Sequence, residues 1–559
     1  MCWIKRKRIR NMQSHSIFKR AAASSLVLFT YVSFNATATV HYVNLNNPAP
    51  VSPYTSWATA ATNIQDAVDA AIASDEIVVT NGVYQTGGRR LSNGTLISNR
   101  VAVTKPLLLR SVNGPAFTVI RGSQSPLNPP IVVGMRCIYL TNGAVLSGFT
   151  LTNGATWDSG GAGDSAGGGV WCEDTFAGAF PSAVVSNCVL TGNAAYSDGA
   201  GAWKGTLENC TITGNWSYGA GGGADRSTLN NCLVSSNSAR VYGGGVFGGA
   251  LTNCTLTTNW SYGDGGGAYG GTLNNCVVSG NSASNGGGGV FESTLINCIL
   301  ADNRATNGYG GGAYLGSGTS RLTNCTLVNN SAMQGGGVYG GPLFNCIAYY
   351  NHATLGSNYL NSTLNYCCMA PMPNHGFGNI TNEPAFVDFA GGNLRLQSNS
   401  PCINSGNNAY APVAFDLDGN PRITGGTVDI GAYEYQSPTS IISYAWLQQY
   451  GLPIDGSADH ADPDGDHFDN FHEWRAGTSP FDATSLLRLT SIVVDTNGAT
   501  VTWQSVPGIV YFLDRGTNLS ALPPFTTVST GIVGQTNTTS CTDSTAIGAG
   551  PFFYRVGVQ

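Results

Sequence analysis

The side chains best suited to chemistry lie in an acidic loop that runs from Asp462 to Glu473. Oxygen-bearing side chains occupy its first, third, fifth, ninth and twelfth positions, and a backbone carbonyl at the seventh can join them. This is the spacing of loops that wrap Ca²⁺ in oxygen ligands, although His467 replaces the glycine usual at the sixth position. The predicted calcium ligands are Asp462, Asp464, Asp466, the Phe468 carbonyl, Asn470 and Glu473.

Two other interpretations of the acidic loop remain open. The histidines His460, His467 and His472 would suit zinc, but oxygen atoms outnumber nitrogen atoms here and favour calcium. A solvated acidic turn without an ion is the second alternative. In the calcium interpretation the ion has a structural role, because it stiffens the joint to the last domain.

A second group of residues could bind a ligand through aromatic rings. Each follows a Val or Ala that ends a glycine-rich run, and strand alternation turns it outward if the Val or Ala faces the core. Such a row can stack on sugars or form an adhesive patch, or it can stabilise the coils by stacking on itself. We expect exposed rings, one per coil, at Trp203, Phe247, Tyr269, Phe291, Tyr314 and Tyr339, with a second series at Trp216, Tyr218, Trp260 and Tyr262.

Carboxylates that could perform catalysis do not cluster in the repeats. Asp198 and Asp264 occupy the same repeat position three coils apart, which is roughly 14 Å at the spacing of parallel strands. That separation is too large for the two carboxylates of a glycosidase. Lys204 and Arg226 have no dense acidic cluster near them in the repeat, so no catalytic residue is assigned.

A repeat must position these side chains. Six cysteines from Cys188 to Cys298 are 22 residues apart, and the pattern resumes at Cys325, Cys346 and Cys367. Each of the first eight follows an asparagine, and another asparagine lies five residues after it. The apolar runs are two or three residues long, which is typical of short strands joined by turns. This period predicts an all-β fold, a right-handed parallel β-helix with Cys and Leu rows facing the core.

The cysteines have two interpretations. A disulfide framework would suit an exported protein. However, directly stacked positions hold their Cβ atoms farther apart than the ~3.8 Å that a disulfide prefers. Buried, unbonded thiols are favoured, because cysteine is among the most buried residue types. Metal binding is disfavoured because the row lacks paired CxxC spacing.

Residues 1–38 indicate a secretory signal peptide. They carry seven basic residues and no acidic one, an apolar run too short to span a bilayer, and a small-x-small cleavage site at Ala36-Thr37-Ala38. Their removal leaves 18 basic and 31 acidic residues, a net charge of −13 that argues against nucleic acid and anionic membranes as partners. No later segment is long and apolar enough to span a membrane.

The rest of the chain divides into four parts. Residues 39–385 are the predicted β-helix, and a helix over residues 63–73, with Asn63 as its N-cap, covers the open end of the first coil. Residues 386–437 form a module that closes the β-helix, and residues 438–485 form the calcium-binding linker. Residues 486–559 alternate short strands with turns and predict a small antiparallel β-sandwich.

Several motifs resemble known families. Gly82-Val83-Tyr84, followed by coils with Leu-x-x-Asn and Gly-Gly-Gly-[Val/Ala], resembles the pectate-lyase-like right-handed β-helix superfamily. The repeats are similar to those of chlamydial polymorphic outer membrane proteins, which are surface adhesins. Residues 399–406, 416–422 and 428–435 resemble the "choice-of-anchor" module of bacterial surface proteins. Residues 462–480 resemble thrombospondin-type-3-like and dockerin-like calcium segments, and the whole resembles exported proteins of Verrucomicrobia, Lentisphaerae and Planctomycetes.

Two function classes follow. The low charge of the coils favours a noncatalytic, exported bacterial surface protein, a monomeric solenoid that holds Ca²⁺ and binds an extracellular glycan or a cell surface. The resemblance to the β-helix superfamily implies the alternative, an extracellular polysaccharide lyase or glycoside hydrolase. A groove with three or more carboxylates and an Arg or Lys within ~6 Å would favour the enzyme.

Overall fold

Four long parallel sheets form the walls of the protein in the computed structural model, which describes residues 38–91, 96–124, 134–157, 162–173, 182–316, 318–547 and 550–559. In the regular coils each turn of the chain adds one short strand to each sheet, paired in parallel with the coils before and after. The predicted all-β solenoid is confirmed. The predicted signal peptide, residues 1–38, lies outside the described residues apart from Ala38.

The sheets have the following strands within the described residues. The first contains Val40–Val43, Glu76–Val79, Leu108–Ser111, Val145–Ser147, Val184–Ser186, Thr206–Glu208, Thr228–Asn230, Ala250–Thr252, Thr272–Asn274, Thr294–Ile296, Leu322–Thr323, Pro342–Phe344 and Thr363–Asn365. The second contains Gly82–Tyr84, Thr118–Arg121, Thr150–Thr152, Val189–Thr191, Thr211–Thr213, Leu233–Ser235, Thr255–Thr257, Val277–Ser279, Ile299–Ala301, Thr326–Val328, Ile347–Tyr349 and Cys368–Met369. The third contains Arg89–Arg90, which pairs antiparallel, then Ser98–Val103, Met135–Leu140, Val170–Cys172, Ala202–Trp203, Ala224–Asp225, Val246–Phe247, Ala268–Tyr269, Val290–Phe291, Ala313–Tyr314, Val338–Tyr339 and Tyr359–Leu360. The fourth contains Ala194–Ala195, Trp216–Ser217, Ser238–Ala239, Trp260–Ser261, Ser282–Ala283, Arg304–Ala305, Ser331–Gln334 and His352–Leu355.

The core is a continuous stack of identical layers. The leucines of the first sheet and the cysteines that follow them are buried in every regular coil. In the middle of the stack, Cys254 donates its thiol to the carbonyls of Thr252 and Leu229 at 3.3 and 3.4 Å. All 14 cysteines in the described part of the chain are unbonded, and 13 of them are buried. The structure therefore agrees with the interpretation of the cysteines as small buried residues.

The two asparagines of each repeat have different roles. The residue before each cysteine lies at the corner between the first and second sheets with φ between 50° and 53°, a left-handed conformation that asparagine tolerates. This corner column contains Asn187, Asn209, Asn231, Asn253, Asn275, Asn297, Asn324 and Asn345. The asparagine five residues after each cysteine is buried and bonds its equivalent in the next coil, except the last, Asn351, which bonds Asn358. This inner ladder contains Asn193, Asn215, Asn237, Asn259, Asn281, Asn303, Asn330 and Asn351.

The glycine runs allow neighbouring coils to approach closely beside the inner ladder. A Cβ on Gly245 would lie 2.5 Å from the carbonyl oxygen of Gly267 and 3.0 Å from Cγ of Asn259. The distance to the backbone oxygen is too short for any side chain, and the distance to Asn259 is tight. Each glycine run therefore fixes the packing of one coil on the next.

Four short α-helices lie in the described residues, at Ile64–Ala70 (α1), Ala162–Ser165 (α2), Tyr444–Gln449 (α3) and Asn470–Ala476 (α4), with 3₁₀ turns at Trp57–Thr59 and Asn408–Tyr410. Asn63 caps α1 by accepting the N–H of Asp66, and Ile64 and Val68 of α1 pack into the solenoid core. This confirms the predicted capping helix, although it ends at Ala70 and not at residue 73. No helix in the described part of the chain combines the length and apolar character needed to cross a membrane.

The segment after the solenoid lies against its side. Residues 376–380 continue the last coil, where Ile380 pairs with Cys368. The following hairpin, Phe386–Asp388 and Asn393–Leu396, and the chain up to residue 435 pack on the outer face of the second sheet. Ile299, Val328 and Ile347 supply that face, at outward positions that other coils fill mainly with Thr or Ser. We call residues 386–437 the side module, because its contacts run along the coils. That this module also closes the β-helix stays a prediction.

The last part of the chain contains two three-stranded antiparallel sheets. One has the order Leu489–Asp495, Gly498–Ser505, Asn537–Asp543, and the other has the order Thr526–Val533, Val510–Gly516, Phe553–Val558. Trp503 and Tyr511 meet between them at 5.8 Å and are almost completely buried. These small sheets agree with the predicted C-terminal β-structure.

Candidate functional sites

The acidic loop folds back on itself directly before α4. One ligand atom from each of Asp462, Asp464 and Asp466 lies within 4.8 Å of the others. Backbone N–H groups of the same loop hold them: Asp462 accepts bonds from Gly465 and His467 at 2.8 and 3.0 Å. His467 has a φ of +78°, so the histidine itself adopts the conformation that glycine usually supplies at the sixth position.

The other predicted calcium ligands lie at or beside the start of α4. Asn470 and Glu473 are buried, and Phe468 donates its N–H to Asp466 at 2.8 Å. Both carboxylate oxygens of Glu473, Oδ1 of Asn470 and one oxygen each of Asp464 and Asp466 are buried without a hydrogen-bond donor. Burial, with repulsion from the three loop aspartates, raises the pKa of Glu473 to about 7. Oxygen atoms buried without donors fit a bound cation.

His460 and His472 contact a different carboxylate, that of Asp469. Asp469 caps α4 by accepting the N–H of His472, and its oxygens also contact Nδ1 of His460 and Nδ1 of His472. These two imidazoles are thereby paired outside the loop aspartates. An oxygen-only donor set suits Ca²⁺ better than zinc.

The predicted row of rings is two stacks separated by an aspartate. Trp171 and Trp203 stack at 5.1 Å. Phe247, Tyr269, Phe291, Tyr314 and Tyr339 then follow one another at 4.4 to 5.4 Å, with interplanar angles of 3° to 15°. Asp225 occupies the ring position between Trp203 and Phe247. The expectation of one continuous row was wrong, and the 22-residue register in which residue 225 follows residue 203 could have shown it.

The exposure of the row also differs from the prediction. Trp203 is only 7% exposed, and the other five rings are half-buried. The reason is geometric: rings that stack face to face along the axis cover each other's faces, so that only their edges meet solvent. The interpretation of the row as a self-stacking ladder therefore applies to the faces of these rings.

More exposed rings lie against the row and on the fourth sheet. Tyr242 packs on Tyr269 at 4.7 Å and Tyr309 packs on Tyr339 at 4.9 Å, and both are well exposed. On the fourth sheet, Trp260 and Tyr262 contact each other at 4.0 Å and are 39% and 52% exposed. Sequence reasoning missed Tyr242 and Tyr309 because they lie in loops without a constant residue type. We call the row of rings together with these four residues the aromatic face.

Asp225 is the most unusual titratable group on this face. Its side chain is fully buried, neither oxygen accepts a hydrogen bond, and Nε of Arg226 lies 3.6 Å from Oδ1. Burial, opposed by Arg226 and Lys204 and reinforced by Asp198, raises its pKa to about 7. Asp225 is therefore an acid beside Lys204 and Arg226, and Asp198 also acts on it. The expectation that these two cations have no dense acidic cluster in the repeat stays a prediction.

Comparisons with known proteins support the β-helix fold but do not identify an activity. Residues 193–364 match the family model described as "Right handed beta helix region", which confirms the right-handed β-helix but covers less than half of the chain. No curated protein matches. Similar solved structures include pectate lyase Pel9A, with 16% identity, a TM-score of 0.36 and coverage of 71% of this chain and 96% of that one. A rhamnogalacturonan lyase has 12% identity, a TM-score of 0.31 and coverage of 64% and 95%. The Bacteriophage CBA120 tailspike protein 2 has 10% identity, a TM-score of 0.22 and coverage of 91% and 73%.

Proposed function

We propose that this protein is a noncatalytic, exported binding protein that holds an extracellular glycan or a cell surface against its aromatic face. The observation that carries this proposal is a set of exposed rings. Tyr242 and Tyr309 pack on the ring row, and Trp260 with Tyr262 forms an exposed pair at the fourth sheet. They lie on a solenoid whose other outward positions are mostly Ser, Thr, Asn and Gly. Rings with an apolar face and a polar edge suit the mixed surface of a sugar.

The second candidate function is a polysaccharide lyase or glycoside hydrolase, and Asp225 favours it. A carboxyl group with a pKa of about 7 beside Arg226 and Lys204 has the properties of an acid–base catalyst. However, both oxygens of Asp225 are buried by protein atoms, so a substrate does not reach them in this conformation. Binding without catalysis therefore remains the first proposal.

We also propose that the acidic loop binds one Ca²⁺ through Asp462, Asp464, Asp466, the Phe468 carbonyl, Asn470 and Glu473. The support is the set of buried oxygen atoms that no donor satisfies. The ion would neutralise the loop carboxylates and tie the loop to α4, which leads into the C-terminal sheets. Its role in this proposal is structural, so it takes no part in glycan binding.

The cellular setting belongs to the proposal as well. Residues 1–38 would direct export, which places the solenoid outside a bacterial cell as a monomer, secreted or associated with the outer membrane. A net charge of −13 after cleavage would repel nucleic acid, so the partners are glycans or cell surfaces.

A glycan array with parallel detection of released products tests the proposal. The wild type should bind at least one glycan without releasing product, and the double variant Trp260→Ala, Tyr262→Ala should lose that binding while it keeps its fold. A second double variant, Tyr269→Ala with Phe291→Ala, asks whether the ring row also contributes. Phe481→Ala removes a ring that is 56% exposed outside the aromatic face and should leave binding unchanged. Product release that Asp225→Asn abolishes would favour the enzyme instead.

A further inference from the structure

A groove of about 700 Å³ separates the second sheet of the solenoid from the side module. Asn253, Thr255, Asn275 and Val277 line the solenoid wall, and the wall of the module is lined by Phe415, Leu417, Asp418, Gly419 and Tyr433. The two walls come from parts of the chain more than a hundred residues apart. Ligand sites occur preferentially where two structural units meet, and such sites combine aromatic surface with a few placed polar groups.

The solenoid wall continues the row of amides on which the side module docks. Asn297 donates its side-chain amide to the Phe415 carbonyl at 2.6 Å, and Asn345 exchanges two hydrogen bonds with the backbone of Asn407. These asparagines belong to the corner column. The two members of the column before Asn297, Asn275 and Asn253, lie beyond the edge of the module and line the groove. Asn253 and Asn275 thus present to the groove the same side-chain amide that binds the backbone of the module in later coils.

The wall of the module presents a ring and a fixed carboxylate. Phe415 is 57% exposed and stands at the mouth of the groove. Asp418 accepts two hydrogen bonds from Arg395, at 2.5 and 2.6 Å, and the guanidinium of Arg395 lies 4.7 Å from the centre of the Tyr433 ring. The side chains of Arg395 and Tyr433 therefore hold the carboxylate in one position, with its charge compensated.

We propose that this groove binds a neutral oligosaccharide. Phe415 and Tyr433 offer ring surface for the apolar side of a sugar, while the amides of Asn253 and Asn275, Thr255 and Asp418 offer hydrogen bonds to its hydroxyl groups. The described residues that line the groove include no Lys or Arg, and their one carboxylate is already paired with Arg395, so the lining offers a uronic acid chain no unpaired cation to bind. The site lies on a different sheet from the aromatic face and is independent of the function proposed for that face.

Variants on opposite walls of the groove test the proposal on an array of neutral and uronate-containing glycans, followed by titration calorimetry. Phe415→Ala removes the ring, and Thr255→Trp fills the groove from the solenoid side without altering the module. We expect at least one neutral oligosaccharide whose affinity falls by about fivefold or more in Phe415→Ala, the loss of one aromatic contact, and by at least as much in Thr255→Trp. Phe481→Ala, which removes a ring of nearly equal exposure elsewhere, should bind like the wild type.

The outcomes separate this site from the aromatic face. Binding that falls with Trp260→Ala, Tyr262→Ala but not with either groove variant would overturn the groove and keep the aromatic face. Binding that falls with both groove variants and not with the aromatic double variant would support the groove and overturn the aromatic face. Binding of uronate-containing glycans alone would also overturn the proposal. So would the absence of any glycan whose binding depends on Phe415. Circular dichroism and the midpoint of thermal unfolding show that each variant is folded.

Discussion

The inner asparagine ladder and the acidic loop both bury polar atoms, but only the ladder satisfies them within the chain. Asn259 accepts bonds from the backbone and side chain of Asn237, and it donates to Asn281 and to the Val234 carbonyl, at 2.9 to 3.0 Å. In the loop, both oxygens of Glu473 and one oxygen each of Asp464 and Asp466 have no donor. The ladder satisfies its polar atoms within the protein, whereas the loop leaves these oxygen atoms without a donor, which is the basis for the proposed Ca²⁺ site.

Asp225 shows a second way to resolve the same problem. It is buried among rings, its oxygens accept no hydrogen bond, and its pKa is raised to about 7. A single carboxyl beside Arg226 is neutralised by one proton, whereas four carboxylates around one point need a cation. The number of buried acids at a place thus decides whether protonation or metal binding removes the charge.

The largest expected effect is on the pH dependence of stability at Asp225. Because its folded pKa is raised from 3.8 to about 7, the folded state holds a proton that the unfolded state has released between these values. Stability therefore falls as pH rises from about 4 to about 7, by roughly 4 kcal/mol at most. Asp225→Asn should remove this loss. Urea unfolding should give equal stabilities for both proteins at pH 4 and a more stable variant at pH 8, and equal stabilities at both pH values would contradict the argument.

Interruption of the inner ladder should have the next largest effect. Asn259→Ala leaves the N–H of Asn237 without its acceptor in a buried layer, which costs about 3 kcal/mol. Asn253→Gly, in the same coil, removes an exposed amide, and glycine keeps its left-handed conformation. The free energy of unfolding of the Asn253→Gly variant should differ from that of the wild type by less than about 1 kcal/mol. Equal losses in the two variants would show that the ladder contributes nothing beyond the corner column.

The difference between repeated or local features and features that depend on distant residues explains which parts of the structure the sequence predicts. Residues that are 22 apart occupy the same position in successive coils, so the period alone places Leu207 and Cys254 in the core. The acidic loop is recognisable because its ligand spacing is local. Asp225 and the groove beside Phe415 depend on what lies across from them in space, and neither period nor spacing describes that. The side module left one indirect sign in the sequence, the apolar residues Ile299, Val328 and Ile347 at outward positions of the second sheet, where earlier coils carry mostly Thr or Ser.

Removal of the bidentate ligand should weaken the Ca²⁺ binding proposed for the acidic loop. Glu473→Ala should weaken Ca²⁺ binding by about tenfold or more, because one residue supplies two of the expected oxygen ligands. Asp482→Asn is the control, since Asp482 bonds only within its own turn. Calorimetry should show one site in the wild type and in the control. If Glu473→Ala bound Ca²⁺ as tightly as the wild type, the buried oxygen atoms of the loop would need another explanation.

The smallest expected effect concerns the thiols, which share the solenoid core with the satisfied ladder. Cysteines in neighbouring coils donate to backbone carbonyls, as Cys254 does to Thr252 and Leu229, and are no more than 3% exposed in the regular coils. The native protein should therefore react with a thiol reagent mainly at the half-buried Cys541, while the denatured, unreduced protein should titrate all 14 thiols of the described chain. Cys541→Ser should remove the native reaction and leave 13. Fewer than about four reactive thiols after denaturation would show that the stacked cysteines form disulfides, against the separation of the Cβ atoms expected for stacked coils.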